Sequence, residues 1–551
     1  MTGGDQIDPI TAEVVRNKLD GIANEMESTL LRSSFSPIVK EGLDASASLF
    51  TTSGETLAQA IAIPIHLGTL IPVVATILDV FPLQTMAQGD VYIMNDPYLG
   101  GTHLPDIALV KPVFVDGRPI ALAAAMTHHQ DVGGMTPGSV PTNASEIYQE
   151  GIRIPPLKYF DRGEINDTLI KMLRLNVRIP ETFEGDLNAQ IAACTVGERR
   201  LQTLASRYGA AHLIDLFDVI LDRSEVLTRR AIAGLPDGSY NYHDYLDNDG
   251  IDLDKPIRIE ATAIVTGDEI EIDFDGSSPQ VRGPFNCVPS GAEAAGYFAV
   301  HAMTDPTIPT NGGCFRPIRF RFPEGSIVNP QEPAPVNSRT STIKRLSGCV
   351  LGALRQAVPA RASADAAGEM LLLAFGGVRA DRSRYVIGEI IASGSGASDG
   401  KDGVDVIETD GTNCMNLPVE ALEMDAPIRV HRTELCADSG GAGTFRGGLG
   451  LRREYEILAG EVTFTYRGER HVHAARGFNG GLAGAKAHAV IHRSTGEAEE
   501  IPSKCVTTLR AGDRVDMQTA GGGGYGLPAA RSAAHIEADR ADGKVGDGGG
   551  D

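Results

Sequence analysis

Asp116-Gly117 lies between two apolar runs, Ile107 to Val115 and Pro119 to Met126, and this constrains the chain more than any other short segment. Both positions of a two-residue type I′ turn need φ > 0, which Asp-Gly tolerates, so the runs are expected to pair as a β-hairpin. With these two residues as the whole loop, facing positions sum to 233: Asp106 is expected opposite Thr127, and Pro105 opposite His128. His103 comes just before the first strand. Two imidazoles and a carboxylate then converge at the open end of the hairpin. Such N and O donors suit a divalent metal, although spacing alone leaves a hydrogen-bonded polar cluster open as the other reading.

The chain has 551 residues, enough for a large core and too many for one simple domain. Its net charge of -23 argues against nucleic acid and anionic membranes as partners, since both call for clustered Lys and Arg. The 7 cysteines are scattered, with no C-x-x-C, so neither a disulfide framework nor a cysteine zinc site is expected. A reducing cytoplasm fits that usage. MTGGDQIDP carries no basic segment and no apolar signal core. No apolar run approaches the ~20 residues that a membrane helix needs.

Asp8-Pro9 reads as an N-cap with proline at the first helical position, and apolar residues then repeat at helical spacing to about Ser33. Ser46–Phe50 and Glu55–Ala60 flank Thr52-Ser53-Gly54 as a second hairpin, and Leu67–Phe81 reads as a helix. Residues 130–158 form a long Gly- and Pro-rich loop expected to line a site. Asp167–Ile232 is mainly helical in pattern, Ile257–Phe274 reads as a strand pair, and 276–345 as loop. Ser347–Leu373 is expected to be helical in two pieces broken at Pro359; beyond 380, short β runs and glycines lead to GGGGYG at 521–526. The expected fold is mixed α+β. An N-terminal α+β region (1–235) carries the metal site, a mixed region spans 236–375, a β-rich region spans 376–527, and 528–551 is a short helix with a disordered glycine tail.

The strings NDPYLGGTHLPDIALV (95–110), THHQDVGGMTPGS (127–139) and EIYQEGIRIPP (146–156) resemble the hydantoinase B/5-oxoprolinase family. So do DPITAEVVRNKL, PIHLGTL, RLNVRIPE, GDLNAQIAA, FDGSSPQVRGPFN and GGGGYG, over roughly residues 8–527. The resemblance implies the B component of an ATP-dependent amidohydrolase that opens a cyclic amide such as a hydantoin, 5-oxoproline or another lactam. It implies a partner, the hydantoinase A-type ATPase of actin-like fold, which binds ATP and Mg in a hetero-oligomer of two A with two B. The chain carries no G-x-x-x-x-G-K-[ST] string of its own. The resemblance also implies a metal held by Asp44, His103, Asp106 and His128, for which Zn, Mn or Fe suits the donors. A component of an ATP-dependent ketone carboxylase and a non-catalytic scaffold for an ATPase are the alternatives. Gly42-Leu43 stands where relatives often carry arginines, and Leu527 where they often carry an acid.

His129 and Asp131 adjoin the proposed ligand His128 and are the expected catalytic pair, His129 as general base and Asp131 as a carboxylate steadying a histidine. Strand alternation would equally send His129 to the opposite face. His66 is expected near the site. GGGGYG reads as a structural turn more readily than as a phosphate cradle, His471 and His473 as ordinary histidines, and Arg174, Arg178 and Arg316 as anion holders or structural salt bridges.

Overall fold

In the computed structural model, Asp116 (φ 50°) and Gly117 (φ 76°) make the expected turn between β4 and β5 of a seven-stranded sheet. Residues 8–61 and 63–546 are described; the opening MTGGDQI and the last residues of the expected glycine tail lie outside them. The strands are β1 (Ala45–Phe50), β2 (Thr56–Gln59), β3 (Val91–Met94), β4 (Asp106–Val115), β5 (Arg118–His128), β6 (Leu157–Asp161) and β7 (Glu164–Ile165). They lie in the order β2-β1-β5-β4-β3-β6-β7.

The expected register holds only next to the turn. Val115 faces Arg118 and Phe114 faces Pro119, but Val113 faces Ala121, leaving Ile120 as an extra residue. From there on facing positions sum to 234, so Asp106 faces His128, not Thr127. A one-residue slip exchanges the faces of a strand, and the bulge at Ile120 does this to everything beyond it in β5.

The sheet is covered on both sides because its strands are apolar on both. The helix Pro9–Ser33, capped by Asp8 accepting from Ile10 and Thr11 N–H, packs with Pro180–Tyr208 over Ala47, Ala123 and Ala125. The helix Leu70–Val80 covers Met94, Ala108, Leu122 and Met126 on the other side. No helix among the described residues is long and apolar enough to cross a membrane.

A second sheet has β8 (Gly238–Leu246), β9 (Ile257–Thr266), β10 (Glu269–Asp273) and β11 (Ile318–Arg321) in the order β11-β10-β9-β8. The helices Pro289–Met303 and Arg339–Ala357 pack on each other, and the second also packs on this sheet. The first falls in the stretch read as loop: its Gly291, Ala292, Ala294, Ala295 and Gly296 make no amphipathic stripe, and the small residues let Ile343 and Phe320 approach. The second begins at Arg339, not Ser347, and stops before Pro359. The expected second helical piece is replaced by β12 (Leu371–Val378), whose apolar run is too short to distinguish helix from strand by pattern.

The C-terminal region is a β-sandwich. β12, β13 (Arg384–Ile391), β16 (Glu461–Arg467) and β19 (Lys504–Arg510) form one sheet. β14 (Ile428–Leu435), β15 (Leu451–Ile457), β17 (His488–His492), β18 (Ala498–Glu500) and β20 (Arg514–Gln518) form the other. Phe375, Phe464, Tyr455 and Met517 lie between them. At one end the glycine segments around 394–403, 440–450, 477–484 and 521–524 lie side by side, joined by backbone hydrogen bonds such as Gly441 N–H to Gly522 O and Gly522 N–H to Gly448 O. A Cβ on Gly522 would lie 1.9 Å from Ser395 O. GGGGYG is therefore structural packing. The helix Ala533–Ala541 is pinned beside it by Arg531, which bonds Asp402 and Asp539.

This packing sets the expected effect of three substitutions. Gly522→Ala forces backbone apart and lowers the unfolding temperature sharply, by the equivalent of about 3 kcal/mol or more. Gly21→Ala, in the open interior of the first helix, raises it by up to about 1 kcal/mol. Burial alone pushes the Glu27 carboxyl up to about 7. A folded value above the unfolded one gives stability that is complete below the unfolded value and lost as pH rises through about 7. Glu27→Gln is therefore expected to stabilise by on the order of 1–2 kcal/mol at pH 8 and by little at pH 5, read as paired thermal melts.

Candidate metal centre

His128 ends β5 and Asp106 starts β4, so the corrected register places them directly opposite and on one face. His103 lies in the turn before β4, its ring centroid 5.0 Å from that of His128. One donor atom from each of His103, Asp106 and His128 lies within 4.8 Å of the others, and all three residues are buried.

The hydrogen-bond inventory fixes what these atoms can do. His103 Nδ1 is 3.0 Å from Asn337 O, a partner that can only accept, so Nδ1 carries the proton and Nε2 presents a lone pair. That Nε2 is 3.0 Å from Asp106 Oδ1, with no hydrogen between them. Asp106 Oδ2 is already taken, by Thr102 Oγ1 at 2.5 Å and by Arg339 Nη2. His103 Nε2, Asp106 Oδ1 and His128 Nδ1 are left without partners. The facing lone pairs of His103 Nε2 and Asp106 Oδ1 are costly when buried, and a shared cation removes the cost. The donor set fits a divalent transition metal and lacks the thiolates of a structural zinc site.

Electrostatics agree. Burial, reinforced by Arg339, holds the His103 imidazole down at about 4, and burial holds His66 at about 4 as well. His128 is also pushed well down by burial and by His103. All three are neutral, the form that ligates. Burial works to raise the Asp106 carboxyl, but the guanidinium of Arg339 paired with it helps hold it well below the usual range.

Asp44 lines the same cavity, outside the converging trio. It follows Gly42 and Leu43 in a tight turn: Leu43 has φ 61°, and a Cβ on Gly42 would lie 2.5 Å from Ile38 O. Arginine at Gly42 is thus excluded by the turn that delivers Asp44. Burial and the charge of Asp106 push the Asp44 carboxyl up to about 7. His66 reaches the cavity from Pro64–Leu67, its Nε2 4.0 Å from Asp106 Oδ2.

His129 and Asp131 go elsewhere. The His129 ring packs on Phe183 and its Nε2 is 3.2 Å from Gln190 Oε1, on the opposite side of the strand. Asp131 touches no histidine; it pairs with Arg178 Nη1 at 2.9 Å and accepts from Gly133 and Gly138 N–H. The 130–158 loop supports the cavity from behind. Its Ser139 O accepts from Asn337 Nδ2, and Glu150 accepts from Val336 and Asn337 N–H, which holds the carbonyl that orients His103. Arg174 pairs with Glu181 and Glu184, and Arg316 with Glu55, Asp222 and Glu225. His471 bonds Tyr466, and His473 stacks on Tyr245.

Arg339 and Arg467 also line the cavity, and no sequence signal points to either. They come from the middle and C-terminal regions, on a helix and a strand whose local patterns carry no site motif.

A family profile described as "Hydantoinase B/oxoprolinase" matches residues 8–528. The beta chain of the caprolactamase of Pseudomonas jessenii is 35% identical over 98% of this chain and 94% of its own length. The crystal structure of that organism's ATP-dependent caprolactamase superposes with a TM-score of 0.92 at 32% identity, over 98% of this chain and 95% of the matched chain. The B component of a putative D-/L-hydantoinase from a Pseudomonas species (strain NS671) is 33% identical over 98% of this chain and 93% of its own length. An acetone carboxylase has the same fold, with a TM-score of 0.91 at 19% identity over 98% of this chain and 78% of the matched one.

Adjacent histidines provide the check on this geometry. His128→Ala is expected to abolish metal retention, measured by elemental analysis of the folded protein. His129→Asn is expected to keep the metal and lose only stability, on the order of 1–3 kcal/mol.

Proposed function

The chain belongs to the hydantoinase B/oxoprolinase family, and from that premise we propose that it is the B component of an ATP-dependent hydrolase of cyclic amides, with the His103–Asp106–His128 cavity as its hydrolytic site. The observation that carries this reading is the convergence of three buried residues, each offering a donor atom within 4.8 Å of the others and each carrying a buried atom without a partner.

A ring amide is a poor electrophile, and its opening needs both activation of the carbonyl and a competent nucleophile. Activation is assigned to an ATP-binding partner, in keeping with relatives that are themselves components of multi-chain enzymes and with the ATP-dependent caprolactamase. A divalent metal, when bound, supplies Lewis acidity and a nucleophile derived from water at neutral pH.

This chain's residues do the rest. His103 and His128 offer neutral nitrogens, and Asp106 offers the oxygen that Thr102 and Arg339 leave free. Asn337 and Glu150 fix the His103 tautomer and its aim. Asp44 is the fourth proposed donor: its carboxyl is pushed up by burial and by Asp106, a shift that a nearby cation would oppose. His66 lies beside Asp106 as a neutral hydrogen-bonding group.

The test is turnover of the chain co-purified with its ATPase partner, screened on hydantoins, 5-oxoproline and larger lactams with ATP and magnesium. Asp106→Asn and His128→Ala are each expected to lower ring opening by about 10³-fold or more while the partner still binds ATP. Full turnover by either variant contradicts the reading. So does incorporation of labelled bicarbonate carbon into the product, which would mark a carboxylase.

A further inference from the structure

The metal cavity is smaller than the molecule it is proposed to act on. It holds about 20 Å³, room for a water and not for a ring. A cyclic amide reaches the donors only if a wall gives. On the polar side, Asp106 is held by Thr102 and Arg339, and His103 by Asn337. The apolar side is Ile63, Ile65, Met370 and Cys414, all in one core cluster, where added volume is costly.

Ile63 differs in what lies on its other side. It also lines a surface groove of about 310 Å³, with Ile61 exposed at the rim. The groove runs between Pro64, which opens the one-turn helix Pro64–Leu67, and Phe298 and Ala302 of the Pro289–Met303 helix. Along 63–66 the side chains divide: Pro64 faces the groove, Ile65 and His66 face the cavity, and Ile63 faces both. His66 N–H donates to Ile63 O, and Ile65 N–H to Gly411 O. The backbone is thereby tied, while the Ile63 side chain has open space to turn into.

The groove's chemistry selects what enters it. The chain has a net charge of -23, yet no Asp, Glu, Lys or Arg is among the described residues lining the groove. Its one imidazole, His301, is pushed down by burial and stays neutral. A carboxylate would lose its hydration there without a partner, whereas methylene groups gain from leaving water.

We propose that Ile63 is a specificity-determining residue: the substrate ring lies across it, its amide toward the metal donors and its hydrocarbon part in the groove beside Phe298 and Ala302. The site then selects cyclic amides that are apolar and uncharged away from the amide. This rests on the hydrolytic reading above and adds the substrate class.

The experiment titrates the full-length chain by saturation-transfer NMR with unsubstituted five- and seven-membered lactams. Two further seven-membered lactams carry a methyl or a carboxylate on the ring carbon opposite the amide. Wild type is expected to bind the methyl lactam at least about tenfold more tightly than the carboxylate one, with the strongest transfer at ring carbons remote from the amide. Ile63→Phe is expected to weaken the seven-membered lactam at least about fivefold and the five-membered one less, and Ile63→Val to bind as wild type does. Ala302→Lys puts a cation in the groove from the exposed last turn of its helix, where a positive charge is favourable. It is expected to keep the wild-type unfolding temperature and to turn the preference toward the carboxylate lactam. If thermal melts show Ile63→Phe to be misfolded, Ala302→Lys decides. Equal wild-type affinity for the methyl and carboxylate lactams overturns the proposal. So does an unchanged ring-size ratio in folded Ile63→Phe, an unchanged preference in Ala302→Lys, or no lactam binding by wild type. Ring opening is then measured with the ATPase partner, ATP and magnesium. If wild type opens no lactam, the hydrolytic reading fails and the binding data alone judge the groove. If it opens them with kcat/KM ratios between ring sizes that neither variant moves, the groove fails and the hydrolytic reading stands.

Discussion

A single extra residue, Ile120, decides whether the cavity exists. With the register set by the turn alone, Asp106 would face Thr127, and His128 would project from the other side of the sheet. The bulge costs one break in the β4–β5 ladder and swaps the faces of residues 121–128. The swapped strand fits its surroundings: Ala121, Ala123 and Ala125 meet the two long helices, and Leu122, Ala124 and Met126 meet the Leu70–Val80 helix. The small alanines admit close helices on one side and the larger residues fill the other, so the packing of this strand holds His128 in register. His128 N–H also donates to Asp44 O, tying β1 into the same corner.

The trio could be read from the sequence because a two-residue turn fixes where a hairpin ends, and a shift of one residue leaves that end in the same place. The bulge could not be read, since Pro119-Ile120 continues an apolar run and nothing in its composition marks an unpaired residue. The long helices were legible through period and caps. The Pro289–Met303 helix was not, because tight packing against Ile343 and Phe320 demands glycine and alanine, which erase the apolar stripe. His129 and Asp131 were attractive by adjacency, yet alternation turned one ring away and Arg178 claimed the other carboxylate. Arg339 and Arg467 come from 233 and 361 positions beyond Asp106, and only the fold brings them to it.

Three regions therefore meet at one small cavity. The first sheet supplies lone pairs, the Arg339–Ala357 helix supplies a guanidinium that neutralises Asp106, and the C-terminal sandwich supplies a second guanidinium. Buried charge is tolerable only inside a core large enough to offset it, and one apolar cluster runs from Ala12 in the first helix to Cys414 near the cavity. Lys344 is treated in the same way, buried but tied to Glu408, Thr409 and Thr412.

The contrast between paired and unpaired groups separates scaffold from site. Arg345, Arg453 and Arg470 are as dry as Arg467, and each ends on a carboxylate. Folding alone selects that pattern, since an unpaired charge only subtracts from stability. At position 467 methionine could have served the same strand without an orphaned donor, and the neighbour across the ladder, Lys504, is itself satisfied by Glu469. Arg467 instead shares the cavity with the Asp44 carboxyl, and the two opposite charges favour each other. The partnerless atoms of His103 and His128 and the orphaned guanidinium of Arg467 belong to residues that line one cavity. Donors left open toward a shared cavity are what a ligand site needs, whereas the arginines of the surrounding core are each closed off by a carboxylate.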